Sequence, residues 1–217
     1  IAEAAIAAGC RFFSGYPMTP FTEVLESFAK RLPEEGGHCI NSESELEAIG
    51  QAWGAAATGA RAATGSTGQG LSLMQESMSE ITRAEIPIVI FNMARGQGDY
   101  YQATRGGGHG DYRHIVLAPQ SVGEAVEITQ LAFHLADKWR HPVVIYGDYL
   151  IAHTAEAVEI NPIDFTKSDG ELPVKDWAVD GTLGGTGRSR NLNPIGMKKG
   201  SKGIEPNSYW QALADKE

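Results

Sequence analysis

The stretch AATGSTGQGLSLMQESMSEITRAEIPIVIFNM, Ala62–Met93, contains the fold in miniature. Ala62–Ser66 is a short run of small and β-branched residues and reads as a buried strand. GSTGQ then breaks the run, and Gly70–Arg83 carries helical spacing. Ile88–Met93 is apolar almost without interruption, as a strand covered on both faces requires. Two buried strands joined through one helix form a parallel pair, because a parallel connection needs a crossover.

The same rhythm runs outward. Arg11–Ser14, His38–Asn41, Ile115–Ala118 and Val143–Gly147 read as further strands. Phe21–Arg31 reads as a helix whose first turn Pro20 opens. Glu43–Gly59 follows a serine. Val122–Trp139 follows Ser121, with Glu124 at capping-box spacing. The expectation is an α/β fold, a parallel sheet with helices on both faces. After about Leu150 the rhythm stops. Asn161–Glu217 holds four prolines and the Gly-rich GTLGGTG, and reads as an extended arm or linker with a short helix near Tyr209–Leu213. An arm of that length is expected to lie on another domain or subunit.

Composition narrows the partners. The 217 residues carry a net charge of −9, with 10 Lys/Arg against 19 Asp/Glu in residues 1–160. Such a surface repels nucleic acid and anionic lipid. No apolar run reaches the ~20 residues of a membrane span. Residues 1–10 are Ala-rich but lack the basic flank of a signal peptide. Cys10 and Cys39 are the only cysteines and form no CxxC pair. This excludes a cluster or zinc ligand set here and fits a reducing cytoplasm.

In open parallel sheets, ligands sit beyond the carboxyl ends of the strands. SGYPMTP (Ser14–Pro20), NSESE (Asn41–Glu45), GSTGQG (Gly65–Gly70), NMARGQGD (Asn92–Asp99) and GGGHGDYR (Gly106–Arg113) are expected there. GSTGQG could cradle a phosphate at a helix start, or be a tight turn only; it lacks the lysine of a P-loop. His109 is a turn residue or a ligand, with only Asp111 near it in sequence. Arg95 directly follows a strand and either grips a carboxylate or bridges to a loop. Glu43, Glu45 and Glu47 all suit a helix N-terminus on dipole grounds alone. Glu43 and Glu47 share one helical face, and Glu45 points elsewhere.

Taken in order, SGYPMTP, SESELEAIGQAWGAA, TGSTGQGLSLMQE, NMAR and GGGHGDYRHIVLAP resemble the alpha chain of the 2-oxoacid:ferredoxin oxidoreductases. The likeness covers about Ile1–His153, with KDWAVDG similar to the linker that follows. It implies a thiamine diphosphate pyrimidine-type domain over residues 1–155 and an arm over 156–217 leading to a further domain. GGGHGDYR is most similar to the branched-chain, 2-oxoisovalerate members, with 2-oxoglutarate members next. By motif, Glu45 matches the activating glutamate, which hydrogen-bonds N1′ of the cofactor aminopyrimidine and promotes loss of the thiazolium C2 proton. Thr19 and Arg95 match the substrate-binding pair, and His109 is expected in the same cavity. Tyr16, Pro17 and Thr19 are expected against the cofactor with Glu45.

The chain departs from the family in three ways. It has no GDG…NN magnesium–diphosphate motif, so a beta subunit is expected to bring the diphosphate and Mg2+. Relatives carry a longer Gly- and Pro-rich stretch between the arginine and GDYYQ. Family members also continue into a second α/β domain, so the chain resembles a fragment or split subunit. The implied activity is oxidative decarboxylation of a 2-oxoacid to acyl-CoA and CO2. Electrons would pass to iron–sulfur clusters on partner chains (gamma and ferredoxin-like subunits) and on to ferredoxin. Two rival readings stand beside it: a non-redox thiamine-dependent decarboxylase subunit, and a non-catalytic module that kept the fold.

Overall fold

The computed structural model describes residues 1–179. The helix expected near Tyr209–Leu213 and the GTLGGTG run lie outside the described residues. Six parallel strands form one sheet: β1 (Phe12–Gly15), β2 (His38–Asn41), β3 (Ala62–Ser66), β4 (Val89–Met93), β5 (Ile115–Leu117) and β6 (Val143–Gly147). Their order is β2-β1-β3-β4-β6-β5. The main helices are α1 (Ala2–Ala7), α2 (Thr22–Arg31), α3 (Glu45–Ala57), α4 (Gly68–Arg83), α5 (Gly98–Arg105) and α6 (Val122–Trp139).

Strand alternation sorts the helices into two layers. Val89, Phe91 and Met93 face a core built with α1, α2 and α6, where Phe28 stacks on Phe13 at 4.0 Å between ring centroids. Ile88 and Ile90 face the other core, built with α3, α4 and Ala103 of α5. Both faces of the inner strands are therefore covered, which is why β4 and β6 read as near-continuous apolar runs.

All six expected strands are present, with bounds shifted by a residue or so. The helices differ at their starts. Pro20 precedes α2 outside its first turn, on a cis Thr19–Pro20 bond, and the N-cap is Phe21. α3 begins at Glu45 because Ser44 caps it: Ser44 Oγ accepts from Glu47 N at 3.3 Å. The Glu47 carboxylate in turn accepts from the Glu43 main-chain N at 2.8 Å; Glu43 lies before the helix, so the two residues meet at the cap rather than on a shared helical face. α4 starts two residues early, at Gly68. α5 was not expected at all. Its eight residues bury only Ala103, too little apolar periodicity to register in sequence.

The arm folds back on its own domain as far as residue 179. The Glu156 carboxylate accepts from Gly123 N, and the Gln130 side chain bonds both Asn161 O and Ile163 N. Two short helices, α7 (Tyr149–Ala152) and α8 (Thr166–Asp169), lie in this region. Asp169 of α8 pairs with His134 and Lys138 on α6. Lys175 then reaches Asp137 at 2.7 Å, and Trp177 is buried in the α3–α4 core. Residues 156–179 thus lie on the preceding domain, along α6 and the end of α3.

One glycine shows how tightly the sheet centre is closed. A Cβ on Gly65 would lie 2.6 Å from the Phe21 ring and 2.6 Å from Phe91 O, a backbone atom that cannot turn aside. Gly65→Ala is expected to cost about 1–3 kcal/mol, as overpacked cores do. Denaturant unfolding checks this, and an unchanged midpoint would contradict it.

Candidate functional site

In chain order, β1 is followed by β2 on one side and then by β3 on the other. The chain reverses direction across the sheet at β1–β3, and α2 and α3 leave on opposite faces. Such a switch point opens a crevice at the carboxyl edge. Two of the expected segments, SGYPMTP after β1 and GSTGQG after β3, line it. They touch through Met18, whose sulfur accepts from Thr67 Oγ1 at 2.8 Å.

Glu45 enters this crevice from the first turn of α3. It is 5% exposed, whereas Glu43 and Glu47 are exposed to solvent. Ser66, at the end of β3, donates to Glu45 Oε1 at 3.0 Å. Gly70 makes room for this contact. A Cβ there would overlap Ser66 Oγ and come within 2.6 Å of Glu45 Oε1. The glycines of GSTGQG thus serve close packing around a carboxylate. On the other side of the α4 N-terminus, Asp99 occupies the space a side chain on Gly68 would need. The positive end of the α4 dipole already faces two of the protein's own carboxylates, which argues against a phosphate there.

Arg95 follows β4 and reaches back to the loop after β1. Its Nε donates to Thr19 O at 2.7 Å, Nη2 donates to the same carbonyl, and Nη1 donates to Gln69 Oε1 at 3.2 Å. Asp99 accepts from Arg95 N at 2.8 Å and fixes the start of the loop. Thr19 and Arg95 are brought together as expected, though through the Thr19 main chain. Of the five guanidinium N–H donors, the described contacts use three, so two stay available to a ligand. Tyr16 is half-buried and Pro17 exposed on the same loop.

His109 is not brought to this group. GGGHGDYR enters β5 from the amino edge, not the carboxyl edge. Gly108 packs on Gln75 and Ser79, well along α4. The Tyr112 hydroxyl accepts from Gly107 N and Gly108 N and donates to Gln75, pinning the loop there. His109 itself is exposed. The sequence reading set GGGHGDYR at the carboxyl edge with the other loops, whereas α5 stands between β4 and this segment.

Sequence reasoning also passed over Met18, Ser66, Gln69 and Asp99. Ser66 and Gln69 stood in a quoted motif, but as candidates for holding a phosphate. The cysteines are chemically quiet: burial pushes Cys10 up to about 12 and Cys39 up to about 11. Among the described residues, no three His, Cys, Asp or Glu side chains gather as a metal ion would need. No helix among them is long and apolar enough to cross a membrane.

A buried carboxylate with one oxygen fixed, set at a switch-point crevice, suits an aminopyrimidine. Residues 3–178 match the family described as pyruvate flavodoxin/ferredoxin oxidoreductase, thiamine diP-binding. The chain belongs to this family. It is 43% identical over 188 residues to the ketoisovalerate oxidoreductase subunit VorB of Methanothermobacter thermautotrophicus, covering 82% of this chain and 52% of that one. It is 44% identical over 170 residues to the 2-oxoglutarate synthase subunit KorA of the same organism, covering 73% and 45%. The chain therefore spans about half the length of these curated relatives. Among solved structures it is similar to the 2-oxoglutarate:ferredoxin oxidoreductase of Magnetococcus marinus, solved with 2-oxoglutarate, coenzyme A and succinyl-CoA bound. That likeness has a TM-score of 0.67 and 34% identity, and covers 70% of this chain and 29% of that one.

Proposed function

We propose that this chain provides the aminopyrimidine side of the thiamine diphosphate site in a 2-oxoacid:ferredoxin oxidoreductase, with 2-oxoisovalerate as its acid. The observation that carries this reading is the buried Glu45 carboxylate, fixed by Ser66 in the β1–β3 crevice. When bound, the cofactor supplies the electron sink that lets a 2-oxoacid lose CO2. Glu45 holds a proton in common with N1′ of the aminopyrimidine, a task that needs one positioned carboxyl shielded from water. Tyr16, Pro17 and Thr19 form the wall of the crevice beside it. Arg95 turns its two remaining N–H donors to the carboxylate of the acid, and the Thr19 hydroxyl serves the oxo group.

The crevice fits the aminopyrimidine end of the cofactor, while among the described residues no three His, Cys, Asp or Glu side chains gather to hold the Mg2+ that accompanies the diphosphate. Both fall to a beta subunit in this reading. Iron–sulfur clusters sit on gamma and ferredoxin-like subunits, ferredoxin accepts the electrons, coenzyme A accepts the acyl group, and the assembly works in the cytoplasm. Residues 1–155 are the pyrimidine-type unit, and the arm leads onward from it.

A second acid, 2-oxoglutarate, has its own support, since KorA is as similar to this chain as VorB. The test is to purify the assembled complex and assay ferredoxin reduction with a panel of 2-oxoacids and coenzyme A. The proposal expects 2-oxoisovalerate to give the highest kcat/KM. A preference for 2-oxoglutarate moves the substrate assignment, and CO2 release with no ferredoxin reduction supports the decarboxylase reading instead.

A further inference from the structure

The carboxylate of a glutamate turns freely about its last bond, because that torsion is broad and roughly two-fold. A carboxyl that must meet one ring nitrogen in a defined plane needs a second contact to hold it. Ser66 provides one. Its hydroxyl has a single proton and two acceptors in reach, Glu45 Oε1 at 3.0 Å and Met18 Sδ at 3.9 Å. The carboxylate is closer and is the stronger acceptor. Met18 is in any case served by Thr67, at 2.8 Å. The Ser66 proton is thus left to Glu45.

Three further features point to a built contact. Ser66 is only 2% exposed, so no water competes for the bond. Gly70 stands where any side chain would displace the Ser66 hydroxyl. Asn92 is the neighbour of Ser66 in the β3–β4 register and lies on the same face of the sheet. It is fully buried, and neither of its side-chain amide atoms has a partner. The sheet face behind Ser66 is therefore polar at this edge, whereas the core of that layer is mostly Ala, Ile, Leu and Met.

We propose that Ser66 is a positioning residue for Glu45: it fixes Oε1 and thereby directs Oε2 toward the aminopyrimidine. This inference rests on the role proposed for Glu45. Ser66 is not expected to touch substrate or cofactor, so its loss lowers kcat and spares binding.

The test uses the assembled complex carrying Ser66→Ala, Ser66→Thr, Glu45→Ala and the Ser66→Ala/Glu45→Ala double variant. The readouts are kcat, KM, cofactor affinity, and the near-ultraviolet circular dichroism that the cofactor aminopyrimidine acquires on binding. Ser66→Ala should lower kcat by about tenfold and weaken the dichroic band, with KM and cofactor affinity within about twofold, the pattern for a lost transition-state contact. Ser66→Thr keeps the hydroxyl and should recover most of both signals. In the Glu45→Ala background, Ser66→Ala should add nothing, since its effect runs through Glu45. The inference is overturned if Ser66→Ala keeps kcat and band within about twofold of the parent, if Thr fails where Ala fails, or if the two substitutions add. An active Glu45→Ala complex is a different failure, and would remove the proposed function itself.

Discussion

Glu45→Gln should reduce turnover of the assembled enzyme by about 10²–10⁴-fold while leaving cofactor affinity nearly unchanged. Gln keeps the length and an oxygen that Ser66 can donate to, so the local packing survives. What it loses is the ability to hold and release a proton. The size of the effect follows from that chemistry, since a positioned acid–base group contributes on this scale. Glu43→Gln and Glu47→Gln are the internal controls. Both carboxylates are exposed, and the contact between Glu43 N and Glu47 belongs to the α3 cap. Any loss there should be a small change in stability. Steady-state kinetics with cofactor titration separates the cases. Near-parental turnover in Glu45→Gln would mean that the buried carboxylate is structural.

Arg95→Lys should lower kcat/KM for the preferred acid by about 2–4 kcal/mol, comparable to truncating one member of a hydrogen-bonded charge pair. The charge is kept, but the fork is lost. In the structure that fork does two jobs. Nε and Nη2 clasp Thr19 O, while Nη1 meets Gln69. A lysine ammonium cannot hold the loop after β1 and a planar carboxylate together. Thr19→Val removes only the hydroxyl and leaves the carbonyl that Arg95 grips. Its cost should be smaller, roughly 1–3 kcal/mol. The decarboxylase reading predicts the same pair of results, so these variants test the site and leave the redox step to the ferredoxin assay. If Arg95→Lys stays within about twofold of the parent, a shift under ~0.5 kcal/mol, the arginine is a loop clasp and no more.

The sheet was legible because its inner strands β1, β3, β4 and β6 are covered on both faces. Runs such as Ile88–Met93 have no polar alternation to confuse them, and caps such as Ser121–Glu124 mark helix starts within a residue. What was misread lies where few apolar residues are buried. α5 has one, α8 none, and the arm is held to α6 by side-chain contacts from Gln130, His134 and Lys138 that leave no period in sequence. In the candidate site, helix geometry set Glu45 apart from Glu43 and Glu47 but suited all three to a plain helix start. The role of Glu45, like the pairing of Arg95 with Thr19, came from the resemblance, and the structure brings Arg95 to the Thr19 carbonyl. Ser66 and Gly70 were not separable, because a serine and a glycine at a strand end have many uses. Only the contact with Glu45 picks one. His109 stands apart from this group for a topological reason: its segment precedes β5, and residues before a parallel strand lie at the edge away from the crevice.

The most direct test is a structure of the assembled complex with thiamine diphosphate and Mg2+ bound. The account predicts N1′ of the aminopyrimidine within hydrogen-bond reach of Glu45, about 2.6–3.2 Å, with Ser66 still on the other carboxylate oxygen. It predicts the diphosphate and metal on a different chain. An aminopyrimidine bound away from the β1–β3 crevice, with Glu45 meeting only Ser66, would contradict it.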